Sequence, residues 1–398
     1  MTMTSSDVHF DMYDRELYAS PYAMYRRLRE EAPLYYNDEY RFYLVTRHAD
    51  VGKVLGDRDT FISGKGFVYQ LAVTGAEMPD GLFIAEDPPK HTIHRGLVSR
   101  LFTPRAISRI EPKVRELFAA SAERVAGEPH FDFMRDFAHM MPIQVIALLL
   151  GLPEKDHADL REIFYQAQNE GTADTERDPF AAMLDAAVWF SEYLDFRAEH
   201  PTDDLMTELL NVEFEDATGT RRQLRRDELT TFLTLITGAG SDTTAVAVSW
   251  MGSILSDHPE QRRKLVEDPT LIPNAVEEVL RFEPPAYHVM RTTTVDVDFH
   301  GVTVPADSWI VTLPGAANRD DRVFPDGDTF DVTRKPGQIY TFSFGPHFCL
   351  GASLARLEVR IAMEEILKRV PEWTVDHDGA ALTTGIDTRG WDRLPVDV

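Results

Sequence analysis

The sequence predicts a mainly α protein with a small β subdomain. Three observations predict it. Long apolar stretches of helical length dominate the chain, above all Asp227–Asp257. Strand-like patterns are short and sit mostly in Thr292–Val304, Trp309–Leu313 and the stretch from Gly379 to the C-terminus. No Gly/Ser tract, Pro-rich stretch, long block of like charge or internal repeat divides the 398 residues. Residues 1–398 therefore read as one large domain, with 1–19 a loosely ordered tail.

The elements follow in order. Ser20-Pro21 has the cap and first-turn residues of a helix that runs to about Glu31, before Pro33. Leu34–Asn37 and Tyr40–Thr46 pattern as a hairpin turning at Asp38-Glu39. Phe61–Ile84, with four glycines, reads as irregular. Lys90–Phe102 lies between Asp87-Pro88-Pro89 and Thr103-Pro104 and reads as a helix. Further helices are expected at Ala106–Val125, Val145–Leu150, Lys155–Asn169 and Pro179–Glu199. Asp227–Asp257 ends at His258-Pro259, Pro273–Phe282 ends at Pro284-Pro285, and Ser353–Val370 ends at Pro371.

Composition excludes several functions. A net charge of −25 disfavours nucleic acid as a partner. The first residues have neither a basic region nor an apolar one, unlike a signal peptide. Met140–Leu152 is interrupted by Pro142, Gln144 and Gly151 and reads as a buried core helix, so no membrane anchor is expected. A cytoplasmic location follows as the expectation.

The chemistry concentrates on Cys349. A sole cysteine forms no internal disulfide, multi-thiolate zinc site or iron–sulfur cluster. An inert thiol, a nucleophile or a single thiolate ligand remain. The neighbours favour the ligand. Gly345 and Gly351 let backbone pass close to a bulky group, Phe342, Phe344 and Phe348 exclude water, and His347 offers a donor. A helix beginning just after Cys349 favours thiolate over thiol. Such a sulfur suits a haem iron. Inside the long helix lies Thr237-Gly238-Ala239-Gly240-Ser241-Asp242-Thr243-Thr244, a costly choice for a helix interior. Gly238 and Gly240 would make room for a flat cofactor. A threonine hydroxyl would open the helix locally. Asp242 and Thr243 would pass protons to bound dioxygen. A crossing point between helices is the bland alternative. Glu278 and Arg281 are three apart on one helix face, the spacing of an ion pair.

Phe342–Gly351 resembles the haem-binding loop of the cytochrome P450 family. Ala239–Thr244 resembles that family's oxygen-activating segment, and Glu278-Val279-Leu280-Arg281 its Glu-x-x-Arg pair. Asp87-Pro88-Pro89-Lys90-His91-Thr92-Ile93-His94-Arg95 resembles its Asp-Pro-Pro-x-His-Thr-x-x-Arg segment. The resemblance runs from about residue 20 to the C-terminus and implies a single P450-type domain of the soluble bacterial kind. It implies non-covalent haem b on Cys349, with Phe342, Gly240 and Gly351 against the cofactor. His91, Arg95, Arg291 and His347 would clamp its two propionates. Arg334 would join Glu278 and Arg281 in a structural triad. His94 has no matching role.

The implied activity is monooxygenation: one atom of O2 enters a neutral lipophilic substrate of terpenoid, steroid, fatty-chain or aromatic type. Electrons would come from NAD(P)H through a ferredoxin reductase and a ferredoxin. The basic run Lys90, Arg95, Arg100, Arg105, Arg109, Lys113 and Arg115 is a candidate docking face. Phe67, Val68, Leu82, Phe83, Phe164, Ile236, Val289 and Met290 are expected around the substrate. A peroxygenase or isomerase using the same cofactor, or a non-enzymatic haem sensor, are the alternatives.

Overall fold

The computed structural model describes residues 8–157, 160, 179–202, 204–383, 385 and 387–398. Its core is built around the helix Arg226–Asp257, which is apolar on most sides and accordingly buried along most of its length. Met140–Leu150, Pro179–Glu199 and Ala352–Arg369 pack on it, and Pro104–Val125 lies along Ala352–Arg369. One continuous apolar core joins these helices.

A five-stranded sheet forms the β region. Its order is Leu34–Asn37, Phe42–Val45, Trp309–Thr312, Val289–Thr293, Phe61–Ile62. Trp309–Thr312 runs parallel to Phe42–Val45, and its pairing with Val289–Thr293 is antiparallel. This register sets Arg291 opposite Ile310. A second core lies under the sheet and includes Phe42, Leu44, Met290 and Val311.

Residues 8–19 depart from the expectation of a loose tail. Val8, Phe10, Met12 and Tyr18 are buried in that second core, and Asp14 caps a helix, Arg15–Ala19. Their apolar side chains are spaced by polar ones, a pattern too short to read before the sheet is present. The hairpin turn is longer than expected. Arg41 adopts a left-handed conformation, so the second strand begins at Phe42. Phe61–Ile84 is not wholly irregular: it holds a strand and a helix, Tyr69–Thr74, stopped by left-handed Gly75. Helices at His48–Gly56, Leu205–Asn211 and Pro259–Glu267, and a hairpin pairing Glu213–Glu215 with Arg221–Gln223, were not foreseen. The expected helix Lys155–Asn169 falls largely outside the described residues. Among the described residues one helical stretch, Phe133–Leu150, is long and apolar enough to cross a membrane, contrary to the sequence reading. Most of it (61%) is buried against the protein.

Candidate active site

Cys349 closes a compact loop. Its N–H donates to the Phe342 carbonyl at 2.8 Å, and the Phe348 N–H donates to the Gly345 carbonyl at 3.1 Å. Gly345 is required here. Its φ is +70°, and a Cβ would lie 2.8 Å from the Leu55 carbonyl oxygen, so the loop rests on the end of His48–Gly56. Phe342 is buried, with the Arg356 guanidinium 4.4 Å above its ring.

Cys349 is exposed as a residue. Burial nevertheless raises its pKa, opposed by the Gly351 N–H and the charges of Arg95 and Arg356. The sequence reading expected the helix start to favour thiolate. Desolvation outweighs it, because a helix end supplies only partial charge. A Cβ on Gly351 would lie 4.0 Å from the sulfur, an ordinary contact. The residue's N–H lowers the thiol pKa.

Four basic groups gather beside this loop. The His91 and His347 rings are 4.1 Å apart between centroids. Arg95 donates to the Phe348 carbonyl. Arg291 is buried and donates to the Met290 carbonyl at 2.8 Å. Burial and the Arg95 charge bring the His91 pKa down to about 4. Burial brings Arg291 down to about 10. His347 is lowered by burial and by the charges of Arg291, His91 and Arg95. His91 Nε2 is buried without a hydrogen-bond partner. The nearby Asp87 carboxylate accepts the N–H groups of Ser63 and Gly64, each at 2.8 Å. The cluster is thus a set of basic groups in mutual repulsion, chemically matched to anions.

On the central helix, Asp242 has a pKa raised to about 7 by burial, with Ser241 Oγ 3.3 Å from its carboxylate. Thr243 Oγ1 donates to the Ala239 carbonyl at 2.8 Å. The helix stays continuous through this turn. The threonine adds a bond to that carbonyl without opening the helix, unlike the expectation. Ala239 is exposed, between half-buried Gly238 and Gly240. Gly240 serves the crossing of two helices: a Cβ there would lie 2.7 Å from Ile146 Cδ1 on Met140–Leu150.

Behind the loop, Glu278 and Arg281 are fully buried and joined by two hydrogen bonds of 2.7 and 2.8 Å. Arg281 also donates to the carbonyls of Asn318, Gly327 and Thr329. Arg334 reaches the same Glu278 at 3.2 Å. All this ties the irregular chain before the cysteine loop to Ile272–Phe282. Arg356 is the residue that sequence reading missed. It lies seven positions after Cys349, in the second turn of Ala352–Arg369.

The expected substrate contacts divide. Phe67, Val68 and Val289 keep accessible surface. Leu82, Phe83 and Ile236 are nearly sealed in the main core, with Phe83 packed on Phe232. Met290 is fully buried in the second core, so it is not on an accessible wall. Its strand alternates, and the face that carries Met290 turns toward Phe42 and Val311. Phe164 lies outside the described residues.

Residues 182–383 match the profile of the family described as Cytochrome P450. The chain is 35% identical over 396 residues to "Putative cytochrome P450 123" of Mycobacterium tuberculosis, covering 98% of this chain and 96% of that protein. It is 39% identical over 363 residues to "Erythromycin C-12 hydroxylase" of Saccharopolyspora erythraea, covering 89% and 88%. Among solved structures, a mutant of P450 EryK in complex with erythromycin B superposes with a TM-score of 0.85 at 33% identity over 97% of each chain. CYP109Q5 from Chondromyces apiculatus gives 0.86 at 29% identity over 98% of each. With sequence and fold matched along nearly the whole chain, the protein belongs to the cytochrome P450 family and is a monooxygenase of the bacterial type.

Proposed function

We propose that the Cys349 sulfur would hold the iron of haem b and that the protein inserts oxygen into a neutral lipophilic substrate. The net reaction is R–H + O2 + 2 electrons + 2 protons → R–OH + H2O. One observation carries this reading: the only cysteine is an exposed residue beside four basic groups that form no ion pair among the described residues. The residues fit the cofactor. Two propionates would answer His91, His347, Arg95 and Arg291, beginning with the unpartnered His91 Nε2. When bound, haem iron supplies the binding and activation of dioxygen.

This chain's own residues do the rest. The Gly351 N–H, Arg95 and Arg356 stabilise negative charge on the sulfur. Asp242, poised near neutrality, can both hold and release a proton at its carboxyl oxygens. Thr243 is the adjacent hydroxyl that hands protons inward. Phe67, Val68 and Val289 offer apolar surface that would exclude water and orient the substrate. Relatives named "Vitamin D(3) 25-hydroxylase" and "Mycinamicin IV hydroxylase/epoxidase" support a bulky lipophilic substrate. Electrons would come from NAD(P)H through a reductase and a ferredoxin.

Two variants test this. Cys349→Ser should abolish the long-wavelength carbon monoxide band of thiolate-bound haem. A retained band overturns the ligand assignment. Thr243→Ala should keep consuming NAD(P)H while product per NAD(P)H falls and peroxide rises. Unchanged coupling removes Thr243 from proton delivery.

A further inference from the structure

Two cations act on the Cys349 sulfur, and the fold answers them differently. Arg95 donates to the Phe348 carbonyl and forms no ion pair among the described residues. Arg356 lies 4.4 Å over the Phe342 ring, and the Phe342 carbonyl accepts the Cys349 N–H at 2.8 Å. The charge of Arg356, like that of Arg95, favours negative charge on the sulfur. Arg356 alone of the two is met by an acid. Its Nε donates to Glu277 Oε1 at 2.5 Å and its Nη2 to Glu277 Oε2 at 3.1 Å. Such a two-pronged contact fixes the plane of the guanidinium. Both side chains are half-buried, so salt screens this pair less than one in open solvent.

Glu277 and Glu278 are consecutive on Ile272–Phe282 and have different partners. Glu278 is bound to Arg281 and Arg334, which lock the chain before the cysteine loop. Glu277 meets the cation beside the loop. Arg356 also differs from other arginines of its own helix. Arg360 is shared between Glu111 and Glu364, and Arg369 between Glu123 and Glu365. Either keeps an acid if one is lost. Among the described residues Arg356 has Glu277 alone. Neutralising Glu277 therefore leaves a full positive charge unanswered next to the sulfur's loop.

We propose that Glu277 and Arg356 are a positioning pair that sets how much electron density the Cys349 sulfur gives to the iron: the arginine draws density away, and the glutamate limits that draw. The inference rests on the proposal that the Cys349 sulfur would hold the iron. A cation beside the sulfur favours the reduced, more negative state and raises the reduction potential; an acid behind the cation lowers it.

The test is a redox titration of the substrate-free holoenzyme at low salt, with the spin state followed by absorbance. The infrared C–O stretch of the reduced carbon monoxide complex gives a second reading, since a weaker sulfur donor raises that frequency. Glu277→Gln should raise both the potential and the stretch. Arg356→Gln should lower both. The double variant should return close to the wild type, because the two charges leave together. Arg356→Lys keeps the charge and loses the fork, and should stay nearer the wild type than Arg356→Gln. Glu277→Gln and Arg356→Lys decide the matter if Arg356→Gln fails to fold. A pair that only braces two helices would lower the melting temperature of these variants and leave both readings unmoved, which would overturn the proposal. Shifts of the same sign in Glu277→Gln and Arg356→Gln would overturn it too. Unmoved readings with the long-wavelength carbon monoxide band intact refute the pair and leave the sulfur assignment standing. A wild-type protein without that band refutes the assignment itself.

Discussion

Glu358 shows how strongly a single residue can be set by its surroundings. It is 0% exposed within Ala352–Arg369, and neither carboxyl oxygen has a hydrogen-bond partner among the described residues. Burial raises its pKa well above the usual carboxylate range. The folded state therefore holds a proton that the unfolded state releases. Its stability is complete below the ordinary glutamate pKa and declines as pH rises through and beyond that range. Glu358→Gln keeps the shape and removes the titration. It should melt with the wild type at about pH 4 and above it at about pH 8; parallel melting curves across that window would refute the assignment. Cys349, Asp242 and Thr243 could be singled out from neighbours in the chain. Glu358 could not, because nothing in a helix's sequence states which carboxyl the fold seals.

At the scale of elements, the central helix accommodates its small and hydroxylated residues by packing and by local bonding. Ser241 and Thr243 each bond the carbonyl four residues back, at 2.8 Å, and the helix continues. Gly240 lets Ile146 approach. Gly240→Ala forces these helices apart and should cost about 1–3 kcal/mol of stability. In a double-mutant cycle, Ile146→Ala should recover part of that cost, since the smaller side chain makes room for the added methyl. Strict additivity in thermal or denaturant unfolding would show that the contact is not the reason for the glycine. The segment's unusual composition was plain in the sequence. Its cause was not, because a glycine placed for a cofactor and one placed for a neighbouring helix look alike in one dimension.

Across the whole molecule, charge is the relevant quantity. Against a net −25, the basic run of residues 90–115 looked like one docking face. The fold divides it. Lys90, Arg100, Lys113 and Arg115 are paired with acids, and Arg95 turns to the cysteine loop. Arg105 and Arg109 are exposed and form no ion pair among the described residues. The proposed acidic ferredoxin would meet these two. Reversing both to Glu should slow electron transfer at low salt and flatten its salt dependence. An unaltered salt profile in stopped-flow reduction would dismiss that face.

The sequence by itself determined the helical character, the position of the sole sulfur and the family, because these rest on residue type and local spacing. Tertiary structure alone decided which charges are spent, which glycine faces a helix, that Met290 is sealed, and that residues 8–19 belong to a core. Gly240 meets Ile146 from another helix, and Met290 is sealed across a sheet whose register no local pattern specifies.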